Sequence, residues 1–134
     1  MEKLYAMPLF LIARKVKGNW KKDNLTLNQM NLWHHRVRHQ LKMEYERLVS
    51  LQIGSEKFSE VEITFTLIPP DKRHRDRANF TSIHEKFFCD ALVKNKVLKD
   101  DNDNYIKRSI HQTGPIDKGN GRVEILVREI NEQD

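Results

Sequence analysis

The spacing of apolar and polar residues along this chain predicts a small number of well-separated elements. Leu4 to Ile12 is apolar and suited to a strand, and Pro8 within it, which has no N–H to donate, predicts a place near a sheet edge. Arg14 to Asn24 is too basic to show a pattern and reads as a loop. From Thr26 or Asn28 onward Trp33, Val37, Leu41, Tyr45 and Leu48 recur every three or four residues, while His34, Arg36, Arg38 and Lys42 fall elsewhere. That period predicts an amphipathic helix with a basic side, punctuated at its end by Gly54 and Ser55. Glu60 to Leu67 alternates strictly, with Val61, Ile63, Phe65 and Leu67 on one face and Glu62, Thr64 and Thr66 on the other, which predicts a half-buried strand stopped by Pro69 and Pro70.

After a polar loop, Phe80, Ile83, Phe87, Phe88, Ala91 and Leu92 trace a second helical stripe that ends near Asn95. Two more strands are expected, at about Tyr105 to His111 and Arg122 to Ile130, joined by the turn-rich segment from Thr113 to Gly121. The order is β-α-β-α-β-β. Parallel strands linked by a helix need a right-handed crossover, and the last two strands are close enough in sequence to pair as a hairpin. The expected fold class is therefore α+β, a single domain spanning residues 1–134, with a mixed sheet and its helices packed on one face.

A chain of 134 residues has the size of one compact domain. It has no apolar run long enough to cross a membrane, and its opening residues lack the pattern of a signal peptide, so a soluble, cytoplasmic protein without a membrane partner is expected. One cysteine, Cys89, excludes an internal disulfide and a zinc site built on paired cysteines. Its neighbours Phe87, Phe88 and Leu92 predict a buried thiol rather than a nucleophile. The net charge of +5 favours an anionic partner. Its placement says more: from Arg14 to Lys42 there are eight Lys or Arg residues against one acid, Asp23, so this segment is more positive than the whole chain.

Two clusters invite chemistry. The loop from Asp71 to Asn79 carries Lys72, Arg73, Arg75 and Arg77 and places Asp76 and Asn79 just before the second helix, with Asn79 a candidate N-cap. Seven and eleven steps of about 100° bring Asn79, Lys86 and Asp90 to within about 20° of one direction on that helix. Lys86 and Asp90 alone would make no more than a weak surface ion pair. Beyond them lies Asp100-Asp101-Asn102-Asp103, whose carboxylates repel one another unless a cation offsets them, although the same residues also suit a solvated β-turn. Mg²⁺ is held by one or two carboxylates together with water and phosphate oxygens, and basic residues beside such a site would hold a nucleic-acid backbone. His35 and His39, four apart, have no third zinc ligand placed by sequence. Trp20, between Lys17 and Lys21-Lys22, suits either stacking on an unpaired base or simple packing. Gly114-Pro115 and Gly119-Asn120-Gly121 read as turns, not as a phosphate-binding loop.

These motifs resemble the RusA-like Holliday-junction resolvases, in which an Asp-x-Asp-Asn, a Lys, an Asp-Ala-Leu and a paired Asp-Asp precede a strand. The corresponding residues are Asp76-Arg77-Ala78-Asn79, Lys86, Asp90-Ala91-Leu92 and Asp100-Asp101, and the resemblance covers roughly Val61 to Ile130. It implies a Mg²⁺-dependent endodeoxyribonuclease, with Mn²⁺ able to substitute, that acts on four-way junctions as a homodimer, uses no small-molecule cofactor and, if phage-encoded, works in the bacterial host cytoplasm. Asp76 and Asp101 are then metal-ligand candidates, and Lys86 a contact to phosphate or transition state. Lys72, Arg73, Arg75 and Arg77, with Lys21, Lys22, Arg36 and Arg38, are the DNA-binding candidates. Two departures matter: Ala78 stands where the family has a second acid, and the segment from Asn79 to Asp90 is about one turn longer. Asp90 or Asp103 is the expected replacement ligand, and the alternative is a weak or inactive member of the family that binds structured DNA without cutting it.

Overall fold

The computed structural model describes residues 1–130. The chain runs β1 (Glu2–Pro8), β2 (Phe10–Val16), β3 (Asn19–Asn24), α1 (Leu27–Leu32), α2 (His35–Ser50), β4 (Val61–Ile68), α3 (Arg77–Lys94), β5 (Ile106–Thr113) and β6 (Arg122–Glu129). Strands β1, β6, β4 and β5 form one mixed sheet in that order, parallel between β4 and β5 and antiparallel elsewhere. The expected α+β class, with a mixed sheet and helices, is what the chain adopts.

The alternation along β4 works as anticipated. Val61, Ile63, Phe65 and Leu67 are buried, as are Val123, Ile125 and Val127 of β6 and Tyr5 and Met7 of β1, and these pack with Leu41, Tyr45 and Val49 of α2 and Phe87, Phe88 and Leu92 of α3. Burial of such apolar surface, about 25 cal/mol per Å², is the main term holding the layers together. Trp33 and Tyr45 are buried, as their place on the apolar stripe requires.

Three expectations are corrected. The first concerns residues 4–24: the single strand expected from Leu4 to Ile12 is broken at Leu9 into β1 and β2, which lie in different sheets, and the basic segment is not a loop, since β2 and β3 form a separate antiparallel hairpin. Its two-residue turn is Lys17-Gly18, with φ of 52° and 80° respectively. Positive φ at both positions matches the right-handed twist of a tight hairpin, and glycine adopts it at little cost. Secondly, the long first helix is two helices. Thr26 caps α1 by accepting from Gln29 N at 3.2 Å, and His34 caps α2 through Nδ1, accepting from Arg36 N at 3.3 Å. The chain is extended at Trp33, which turns its indole into the core between them.

The third correction concerns β5 and β6, which do not pair with each other; β4 lies between them. The crossover through α3 sets β5 along one edge of β4, leaving the other edge to β6. The connecting residues 114–121 cross over the end of β4, with Gly114 N, Asp117 N and Gly119 N donating to the carbonyls of Leu67, Pro69 and Pro70 at 2.8, 2.9 and 3.0 Å. The passage is close at Gly114, where a Cβ would lie 2.6 Å from Ile68 Cδ1.

Candidate functional site

Helix α3 is the axis on which the candidate residues are strung. Asp76 is its N-cap, exposed and with no side-chain capping bond. Asn79, the anticipated cap, lies inside the first turn, and its Oδ1 accepts from Asn28 N at 3.1 Å, tying α1 to α3. Asp90 follows Asp76 by fourteen residues, about 21 Å of helix axis. Asp76 is thus remote from Asp90 within one chain, and the expected trio of Asp76, Asp90 and Asp101 does not converge.

Asp90 and Asp101 do meet. The turn after α3 folds back so that both line two adjoining hollows of about 440 and 510 Å³. Lys86, Glu85 and Asp103 border one, and His39 and Lys42 of α2 the other. The turn itself is held by its own side chains: Asp101 N donates to Asp100 Oδ1 at 2.7 Å, Asn102 Nδ2 to Asp100 Oδ2 at 3.2 Å, and Asn104 N to Asn102 Oδ1 at 2.9 Å. The solvated Asp/Asn turn and the acidic cluster are one object.

The electrostatics of the pair are strained. Partial desolvation, a hydrogen bond shared with Asp90, another with Asp100 and the charge of Asp90 together raise the Asp101 carboxyl above its ordinary range. Two adjoining carboxylates of this kind hold either a proton or a cation between them. Part of that compensation comes from within the chain, since Lys42 Nζ lies 2.9 Å from Asp90 Oδ2. The anticipated pairing of Asp90 with Lys86 is therefore replaced by an interhelical one, and Lys86 is left exposed at the groove. A second tie between the same helices joins Lys94 to the buried Glu46 at 2.7 Å.

The residues fit a hard divalent ion held by two carboxylates, with water and phosphate completing its shell. Among the described residues no group of three or more His, Cys, Asp or Glu side chains is arranged to hold a metal, which bears equally on the His35 and His39 pair. His39 instead lines the groove beside Lys42, and the ring of His35 lies 4.1 Å from that of His34. Cys89 is buried under the groove, and burial, then Glu85, Asp101 and Asp90, push its thiol up, so it stays protonated and unreactive.

The basic candidates gather elsewhere. Lys22 of β3, Arg73 and Arg75 line a cavity of about 390 Å³ at the N-terminal end of α3, together with Phe10 and Phe80. Arg75 is fixed by Asp71 at 2.7 and 3.1 Å, and the guanidinium holds the Asp71 carboxyl down at about 2. Arg77 donates to Thr113 Oγ1 at 3.3 Å. Lys21, Lys72, Arg73 and Arg36 are exposed. Arg38, half-buried, donates through Nη2 to Met30 O at 3.2 Å at the end of α1, with its Nε buried, so part of its guanidinium is committed to the fold. Trp20 is exposed at the hairpin tip, so the packing alternative does not apply.

Sequence reasoning missed Lys42 as the partner of Asp90, and Glu85 and His39 as neighbours. Their spacing on α2 and α3 marks them only as polar, because helical periodicity does not say which residues of two crossing helices meet. Comparison of the chain with protein-family models and with curated proteins gives no match.

Proposed function

We propose that this chain is a divalent-metal-dependent endodeoxyribonuclease acting on branched DNA. The observation that carries the reading is the meeting of Asp90 and Asp101 in an open groove beside Lys86, two carboxylates whose repulsion a bound cation relieves. In this reading Asp90 and Asp101 hold Mg²⁺ or Mn²⁺, and Asp103, which lines the same hollow, contributes through water. When bound, such an ion activates water for attack on a phosphodiester and stabilises the leaving oxygen.

Lys86 then approaches the scissile phosphate, while Lys72, Arg73, Lys21 and Lys22 grip the backbone at the far end of α3. The separation of about 21 Å between those ends corresponds to roughly six base pairs at 3.4 Å per step. The motifs shared with RusA-like resolvases supply the branched substrate and the homodimer, whose two-fold symmetry would match paired cuts across a four-way junction.

A second reading is favoured by particular observations. Ala78 offers no ligand atom, Asp76 stands a helix length from the acid pair, and Lys42 already neutralises Asp90. Together these suit a protein that binds structured DNA and does not cut it. A labelled four-way junction and a linear duplex incubated with the protein, with and without Mg²⁺, distinguish the two. Metal-dependent nicking of the junction supports the nuclease; salt-sensitive junction binding with intact strands under Mg²⁺ and Mn²⁺ supports the binder.

A further inference from the structure

The β2–β3 hairpin contributes little to the core yet holds most of the net charge. Its residues 10–24 include Arg14, Lys15, Lys17, Lys21 and Lys22 and one acid, Asp23. Asp23 is buried and consumed by Arg14, whose Nε and Nη2 donate at 2.9 and 3.0 Å. Leu11, opposite Asp23, faces inward and is buried with it.

The opposite face has a different composition. Because alternate residues share a face, Trp20, Lys22 and Asn24 project together from β3. Across from them the register sets Lys15, Ile12 and Phe10, the bulge between Ile12 and Arg14 absorbing the extra residue. Trp20 is 63% exposed, Ile12 53% and Phe10 38%. Cations alternate with rings along this ladder: Lys15 Nζ lies 5.1 Å from the Trp20 ring centroid and Lys22 Nζ 4.2 Å from that of Phe10. Near the base of the hairpin, Phe10 and Lys22 enter the 390 Å³ cavity that Arg73, Arg75 and Phe80 complete.

Exposed rings interleaved with ammonium groups, continuous with an arginine-lined cavity, suit a strand whose bases are free to stack and whose phosphates need neutralising. A duplex buries its base faces and offers only half of that match. We infer that the outer face of the hairpin, from Trp20 to the cavity at Phe10 and Phe80, binds single-stranded nucleic acid, with bases on Trp20 and Phe10 and phosphates on Lys15, Lys22 and Arg73. This surface is separate from the acidic groove, and it deepens the proposed function by supplying a site for the unpaired segment of a branched substrate.

The test uses the full chain and a fluorescein-labelled oligothymidylate, with the anisotropy of the label giving the affinity of every variant and tryptophan emission of the unmodified chain as a second readout. Trp33 is buried and Trp20 exposed, so quenching by the oligonucleotide reports on the hairpin. The expected result is quenching that saturates, and affinity weakened about tenfold in Trp20→Leu and in Phe10→Leu, the size of effect that loss of one stacked base produces. Trp20→Phe should restore most of the binding, whereas a purely structural role would not distinguish Phe from Leu at an exposed tip. Asp101→Asn should bind the oligonucleotide like the unmodified chain, so that failure of the nuclease reading and failure of this one are separable. Unchanged Trp20 emission at saturating oligonucleotide, or equal affinity of Trp20→Leu, overturns the proposal. So does quenching by vesicles containing phosphatidylserine in the absence of any response to the oligonucleotide.

Discussion

His84 is the most enclosed titratable side chain on α3. It is fully buried, its Nδ1 lies 2.7 Å from the Tyr45 hydroxyl, and burial lowers its pKa from the ordinary 6.5 to about 3. An imidazole whose folded pKa is depressed stays neutral in the fold but takes up a proton when the chain unfolds. Its contribution is therefore intact above about pH 6.5 and is lost as pH falls toward 3, with a limiting slope of about 1.4 kcal/mol per pH unit. Urea unfolding between pH 7 and 5 should show this decline before most carboxylates titrate. In His84→Leu the slope should flatten, with a loss of about 1–3 kcal/mol at pH 7 because the buried Tyr45 hydroxyl is left without its partner.

Asp101 presents the opposite sign. Its carboxyl is raised, so its protonated form is the one the fold prefers, and stability is given up as pH rises through the interval above its ordinary 3.8. Asp101→Asn should accordingly raise the Tm at neutral pH in chelator and should abolish any rise in Tm that the unmodified chain gains from Mg²⁺. A lowered Tm for this variant in chelator would mean that the acid pair is not repulsive.

At the scale of elements, the strongest periodicities were legible and the crowded charges hid the rest. Val61 to Leu67 alternates because one face is core and the other is solvent, and that pattern survives folding unchanged. The stripe from Phe80 to Leu92 likewise names the buried side of α3. The hairpin was concealed because its strands carry lysines on the outer face and only Leu11 and Asp23 inward, too few buried positions to register a period of two. Its one readable signal is Lys17-Gly18. Gly18 has open space where a Cβ would lie, so Gly18→Ala should cost only the conformational penalty of a non-glycine residue at φ of 80°, about 1–2 kcal/mol in thermal or urea unfolding. The break between α1 and α2 was equally obscured, since Trp33 fits the helical stripe by its burial while its extended backbone ends α1.

Across the whole molecule, charge is segregated rather than mixed at one site. The candidate acids and the basic loop are adjacent in sequence at Asp76, yet the fold brings Asp90 and Asp101 together at the other end of α3, and only the distance along a helix reveals it. Asp90 and Asp101 were legible as candidates because they border the same short turn; Lys42 was not, because its partner lies on another helix. Junction binding driven by the exposed lysines and arginines should weaken steeply with salt. Replacing a single phosphate contact, as in Arg73→Gln, should reduce the slope of log K against log salt by about one while leaving metal dependence untouched. An unchanged slope would remove Arg73 from the interface.

In the proposed function the Asp90 and Asp101 pair holds the ion used for cutting. Single-turnover cleavage of a labelled four-way junction by the unmodified chain and by Asp101→Asn, each with Mg²⁺ and with chelator, tests it most directly. Strand cuts are expected only for the unmodified chain with Mg²⁺. Cleavage that persists in chelator, or that survives Asp101→Asn with Mg²⁺ at the same rate, would contradict it.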